Sequence, residues 1–268
     1  MVTDRSLLAR SRHYAVWLAG SAVFLFLALP VLVIVLSAFS PDAWPQFPPR
    51  DFSLRWFRAL AQDDGWQQSL WLSVWLLLLV TPLTVILGTL AAWALARLEF
   101  RYRQALQAFI LSPLMIPQVV LGIALLYILT SADLAGYSSG LVIGHMVVAL
   151  PYVVRTVSVS LVAMDRRLEA VSMSLGAGRW YTFRHITLPL ITPGIVAGAV
   201  FTAVTSFGEI SVSLFLSAPD SITVPVRIFN YVDQTFDPTV NAISVIIIAI
   251  AVALLLVIEK FIGLTKLW

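Results

Sequence analysis

Residues 65–96 read GWQQSLWLSVWLLLLVTPLTVILGTLAAWALA, a stretch without a single Asp, Glu, Lys or Arg. A helix rises about 1.5 Å per residue, so this run is long enough to cross the ~30 Å hydrocarbon core of a bilayer. Lipid offers a peptide group no hydrogen-bond partner, so such a run must close its backbone bonds within itself, as a helix. The pattern repeats outward in both directions. Uncharged runs also cover 14–41, 104–132, 134–154, 186–208 and 238–258. The reading is therefore an all-α membrane protein, one transmembrane domain over 1–268, with spans at about 14–39, 67–95, 106–130, 136–160, 190–217 and 238–258.

Composition points the same way. Of 268 residues 60% are hydrophobic and 12% charged, against about a quarter charged in an ordinary soluble domain, and the mean hydropathy is +0.92. The first run is too long for a signal-peptide core and lacks a small-x-small cleavage pattern, so it is expected to stay as the first span. With no cysteine, disulfides, thiolate metal sites and cysteine nucleophiles are excluded.

Basic residues resist transfer to the outside, so their positions set the orientation. Both termini in the cytoplasm leave thirteen of the 17 basic residues inside and only Arg50, Arg55, Arg58 and Arg227 outside. This placement accounts for the net charge of +3, and no nucleic-acid partner is expected. Pro41, Pro45, Pro48 and Pro49 crowd the first outer loop, while Pro30, Pro82, Pro113, Pro117, Pro151 and Pro193 fall in or near spans, where each removes a backbone bond and invites a kink.

The cytoplasmic stretch 164–192 between the fourth and fifth spans is far longer than a tight turn requires. Residues 165–175 read as a short helix with Leu168, Val171 and Leu175 on one face, stopped by Gly176, Ala177 and Gly178. A second short amphipathic helix is expected over 179–186, with Trp180 and Phe183 on one side, lying at the membrane interface.

Residues 168–177, reading LEAVSMSLGA and followed by Ile186, Leu188 and Pro189, resemble the "EAA" loop of binding-protein-dependent ABC importer permeases. The likeness extends over nearly the whole chain, through 52–57 (FSLRWF), 206–209 (SFGE) and 214–219 (LFLSAP). It is most similar to the spermidine/putrescine-type branch, which also holds opine and phosphonate permeases. The resemblance implies the type I importer (MetI-like) architecture in the bacterial inner membrane, with loop 164–190 carrying a coupling helix seated in a cytoplasmic ABC ATPase dimer. It also implies a second permease subunit, usually a different chain, and an extracytoplasmic solute-binding protein. The ATPase-coupling residues it assigns are Leu168, Glu169, Ala170, Val171, Leu175, Gly176 and Ala177. In one respect the chain departs from the family: the position of the eponymous glutamate holds Ala170, and Glu169 comes one residue early. A one-residue offset turns a side chain by ~100° about a helix, so ATPase docking is expected to rest on the apolar face and the glycine turn.

No G-x-x-x-x-G-K-[ST] phosphate loop is present, and the only lysines are Lys260 and Lys266, so ATP hydrolysis is expected from another chain. No catalytic residue, cofactor or metal site is expected, because His13, His145 and His185 are scattered; His145 reads as a hydrogen-bonded packing residue. Glu209 is the acidic side chain that ends an otherwise uncharged span. It reads either as a residue of the substrate pathway, with Ser206 and Ser213, or as one paired with a donor near the outer face. A self-sufficient secondary transporter or channel is the alternative function. It predicts several intramembrane charges or repeated halves, and neither is found.

Overall fold

The computed structural model describes residues 3–42, 47–234 and 238–262. Pro45 and Lys266 lie outside these, as does the side chain of Lys260. Every regular element among the described residues is helical. In chain order they are α1 (Thr3–Ala38), α2 (Arg55–Gln62), α3 (Asp64–Arg97), α4 (Arg103–Leu111) with a 3-10 turn (Ser112–Leu114), α5 (Gln118–Ser131), α6 (Ser138–Ala163), α7 (Arg167–Ser174), α8 (Arg179–Thr182) with a π turn (Phe183–Thr187), α9 (Leu188–Phe207), α10 (Ser211–Leu216), α11 (Val224–Gln234) and α12 (Thr239–Ile262). Among the described residues four helices are long and apolar enough to cross a membrane, 13–38, 64–97, 138–163 and 179–207, and the bent pair α4–α5 makes a fifth if it is one span.

The chain divides into two compact units, one of residues 1–63 and 234–250, the other of 64–233 and 251–268. In the first, α1 is almost wholly apolar from residue 14 to residue 36, as a helix within a membrane is. Its end is tied to the start of α2: Trp56 Nε1 donates to Ser40 O at 2.9 Å, Ser53 N–H donates to Phe39 O at 2.7 Å, and the rings of Phe39 and Phe57 pack 5.0 Å apart.

In the second unit α3, α6 and α9 pack together around Ala92, Leu95, Val153, Val157, Leu161 and Ile191. Lipid is as apolar as leucine, so helices associate there by close packing of small residues. Gly194 and Gly198 bring the α9 backbone against Thr156 and Val153 of α6, where a Cβ would collide. A second core joins α5, α6 and α10 through Leu121, Leu125, Leu141, Val148, Val212 and Leu216. The amphipathic helix α11, not foreseen from the sequence, docks on the start of α3. Val224 N–H donates to Ser73 Oγ at 2.8 Å, and Arg227 Nε donates to Ser69 Oγ at 2.7 Å while its guanidinium lies over Trp66.

One expectation is sharpened and another is corrected. The kink that the prolines invite in the span expected at 106–130 is a sharp bend: α4 and α5 meet at 112°, with Pro117 between them at φ −54, ψ 129, outside the helical region. The separate interfacial helix expected at 179–186 does not exist as such. Residues 179–207 form one continuous helix, with the π turn absorbing the join, so the helix that holds the span expected at 190–217 begins earlier. It stops at Phe207, and α10 resumes after Gly208, Glu209 and Ile210.

Candidate functional site

Between α6 and the long helix 179–207 lies the turn that carries α7. Asp165 Oδ1 accepts the N–H of Arg167 at 2.9 Å and so satisfies one of the free amides at the helix start. At the other end Gly176 N–H donates to Met173 O at 3.0 Å and Ala177 N–H to Ser172 O at 3.2 Å. This pair of bonds is the Schellman closure of a helix, which needs a left-handed residue. Gly176 supplies it with φ +90, and nothing lies within 4 Å of where its Cβ would be.

The two faces of α7 differ in chemistry. Outward stand Leu168, Val171 and Leu175, which are 46%, 56% and 83% exposed. With Gly176, Ala177, Tyr181 and Ile186 they line an open hollow of about 750 Å³. Inward, Glu169 Oε2 pairs with Arg97 Nε at 2.8 Å while its Oε1 accepts from Thr187 Oγ1 at 2.6 Å. Ser172 Oγ meets Thr182 Oγ1 at 2.9 Å, and just before the helix Arg166 Nη2 donates to Ala96 O at 3.0 Å. Glu169 is therefore turned from the exposed apolar row towards the end of α3 and the π turn. Ala170 is exposed as well. Phe183 completes the join, edge-on to Trp93 and stacked on Trp180, both at 5.6 Å between centroids.

A second cluster surrounds the α9–α10 break. Glu209 is 4% exposed, and its Oε1 accepts the N–H of Val212 at 2.6 Å, so the carboxylate caps the first turn of α10. Ser206 and Ser213 are buried. Each hydroxyl lies 2.9 Å from a ring nitrogen of His145, Ser206 at Nδ1 and Ser213 at Nε2. Sequence reasoning grouped Ser206, Glu209 and Ser213 but left out His145, which joins the two serines from another helix. It also missed Arg97, Thr182 and Thr187 as partners of α7; the first charge after the long uncharged run was the available signal for Arg97. Among the described residues no three His, Asp or Glu side chains converge as a metal site.

The family model described as "binding-protein-dependent transport system inner membrane component" matches residues 84–263. The chain is 30% identical to the spermidine/putrescine transport system permease protein PotC of Haemophilus influenzae, over 87% of this chain and 90% of that one. It is also 30% identical to the putrescine transport system permease protein PotI of Escherichia coli, over 84% of this chain and 82% of that one. Its fold matches that of a bacterial ABC transporter that imports the polysaccharide alginate, with a TM-score of 0.76 at 14% identity, covering 94% of this chain and 96% of that one. In this family ATP hydrolysis belongs to a separate subunit, and solute arrives on a periplasmic binding protein. The chain belongs to the binding-protein-dependent transport system inner membrane components: it is the multi-pass inner-membrane permease subunit of a bacterial ABC importer.

Proposed function

We propose that this permease carries a small polyamine-like solute, and that its ATPase docks on the apolar row of α7. The solute class is supported by the polyamine names of PotC and PotI at 30% identity over most of both chains; opines and phosphonates are the related alternatives that the branch resemblance leaves. The docking proposal is carried by one observation: Leu168, Val171 and Leu175 stand exposed on a helix whose opposite face is fixed by the Glu169–Arg97 pair. An exposed apolar row on a rigid support is what a partner groove can bury. In this reading Glu169 holds the coupling helix in place, Ala170 and Ala177 border the contact, and Gly176 sets the direction of the chain leaving it.

The topology proposed is six spans in a single membrane domain with both termini cytoplasmic, α4–α5 forming the third crossing and α12 the last. The basic residues favour this orientation, since it leaves Arg227 outside with α11 and puts Arg97, Arg166 and Arg179 inside around α7. A second, different permease chain completes the pathway. Ser206, Glu209 and Ser213 shape the break that borders the path, their polar groups being already engaged by His145 and the α10 amides. The test is uptake by the importer, reassembled in vesicles with its own ATPase, second permease and binding protein, of labelled putrescine, spermidine and 2-aminoethylphosphonate. ATP-dependent accumulation of a polyamine is expected; uptake of the phosphonate alone overturns the solute class and leaves the docking proposal standing.

A further inference from the structure

His145 sits in the interior of α6, 2% exposed, and its two ring nitrogens reach two different helices. Nδ1 meets Ser206 in the last turn of α9 and Nε2 meets Ser213 in α10, each at 2.9 Å. Between those serines the helix is broken at Gly208, Glu209 and Ile210. A neutral imidazole has one donor and one acceptor nitrogen, while a hydroxyl can act as either, so both contacts are satisfied together with one serine donating and the other accepting. We infer that His145 is a positioning residue that locks α10 to α9 across this break, so that a displacement arriving along α9 from the α7 turn is delivered to α10.

Three further observations bear on it. The helix 179–207 runs without interruption from the π turn bonded to Glu169 to the break, a rod of about 43 Å at 1.5 Å per residue. α10 is only six residues long, too short to hold a direction by itself. It is seated on two glycines: a Cβ at Gly122 would strike Phe215 and the backbone of Ser211 and Val212, and one at Gly144 would strike Leu216 and Val212. Those contacts tie α10 to α5 and α6 but not to α9. Among the described residues, the two hydrogen bonds of His145 bridge α9 and α10 by side chains, through one rigid ring that α6 carries. A coupling route needs an element that responds as a unit, and the clasp makes α9 and α10 such a unit in spite of the break.

The inference depends on the importer assignment and not on which solute is carried. Because the chain has no cysteine of its own, the exposed Leu190 of α9 and Leu214 of α10 can each be replaced by cysteine and spin-labelled. The label-to-label distance is then measured in the complete importer in lipid, without nucleotide and trapped with ATP and vanadate. One narrow distance common to both states is expected; a wild-type distance that shifts between them overturns the inference. His145→Met strands two buried hydroxyls, so the decisive variant is the triple His145→Met/Ser206→Ala/Ser213→Ala, which leaves no polar group unpaired. It should insert and assemble like wild type yet give a broad, state-dependent distance, and Ser213→Ala alone should broaden it in the same way. His145→Gln, which can still bond one serine, should restore part of the narrowing. A narrow, state-independent distance in the triple variant or in Ser213→Ala would reduce His145 to packing and overturn the proposal.

Discussion

Glu169 Oε2 lies 2.8 Å from Arg97 Nε, so an ion pair ties α7 to the last turn of α3. The carboxylate also accepts from Thr187 in the π turn, and α7 is thereby braced against two long helices. A glutamate one residue away, at the position of Ala170, would lie ~100° around the helix, nearer the exposed side. The offset in the sequence thus corresponds to a side chain that supports α7 from behind.

Loss of that brace should loosen the helix without abolishing insertion. Glu169→Ala or Arg97→Ala is expected to lower the stability of the purified chain by roughly 1–3 kcal/mol, between the limits for exposed and buried pairs. The double variant should cost less than the sum of the two, because neither charge is left unpaired. Thermal unfolding of the four proteins checks this; strictly additive losses would mean that the pair contributes no coupling energy.

The apolar row should behave differently. Leu175 is 83% exposed, so Leu175→Asp is expected to leave unfolding unchanged while weakening ATPase association at least about tenfold, as loss of a central apolar anchor does at an interface. Co-purification and titration of the ATPase against the permease in detergent read this directly. Wild-type affinity in Leu175→Asp would remove this residue from the docking face.

Gly176 offers a test of backbone geometry alone. Nothing lies within 4 Å of its missing Cβ, so substitution meets no clash, and any effect comes from φ +90, which costs a β-branched residue roughly 1–2 kcal/mol or more. Gly176→Val is expected to redirect the chain after α7, lowering transport while insertion stays normal. Wild-type uptake rates in vesicles would show that this turn plays no part in coupling.

Which parts of this were legible in the sequence follows from range. The long uncharged runs foretold α1, α3 and α6, because a span declares itself by composition over a single stretch. The Gly176 stop was legible for the same local reason, and φ +90 agrees with it. The bend between α4 and α5 was only half legible: Pro113 and Pro117 marked a kink, but proline content does not give an angle. The π turn over 183–187 has no residue signature, so one continuous helix was read as two. Arg97 with Glu169, and His145 with Ser206 and Ser213, are pairings between distant helices, which a single sequence does not encode in any local period. α2 and α11 were missed because short amphipathic helices in a loop give little signal beside spans.

ATP hydrolysis should be absent from the isolated chain, which has neither the glycine-rich phosphate loop nor its lysine. Activity is expected only after the partner ATPase is added, measured as phosphate release. Hydrolysis at importer rates by the purified chain alone would overturn the assignment of separate roles.

Glu209 gives the most discriminating test of the α9–α10 break. Its carboxylate is 4% exposed and caps α10 through Val212 N–H at 2.6 Å. An amide oxygen can accept the same bond, so Glu209→Gln should assemble normally and keep α10 in place, and on the proposed reading that this side chain borders the path the transport rate should change. Glu209→Leu accepts nothing; it leaves the first amides of α10 without a partner in a dry site, at a cost of about 1–3 kcal/mol, and both assembly and transport should fall. A cysteine at 209, the only one in the chain, reports access. In the conformation described a water-soluble thiol reagent should not reach it, whereas labelling that appears during ATP turnover would mean that the break opens to water as the importer cycles. Labelling only by lipid-soluble reagents in every state would place the side chain against acyl chains and remove Glu209 from the border of the path.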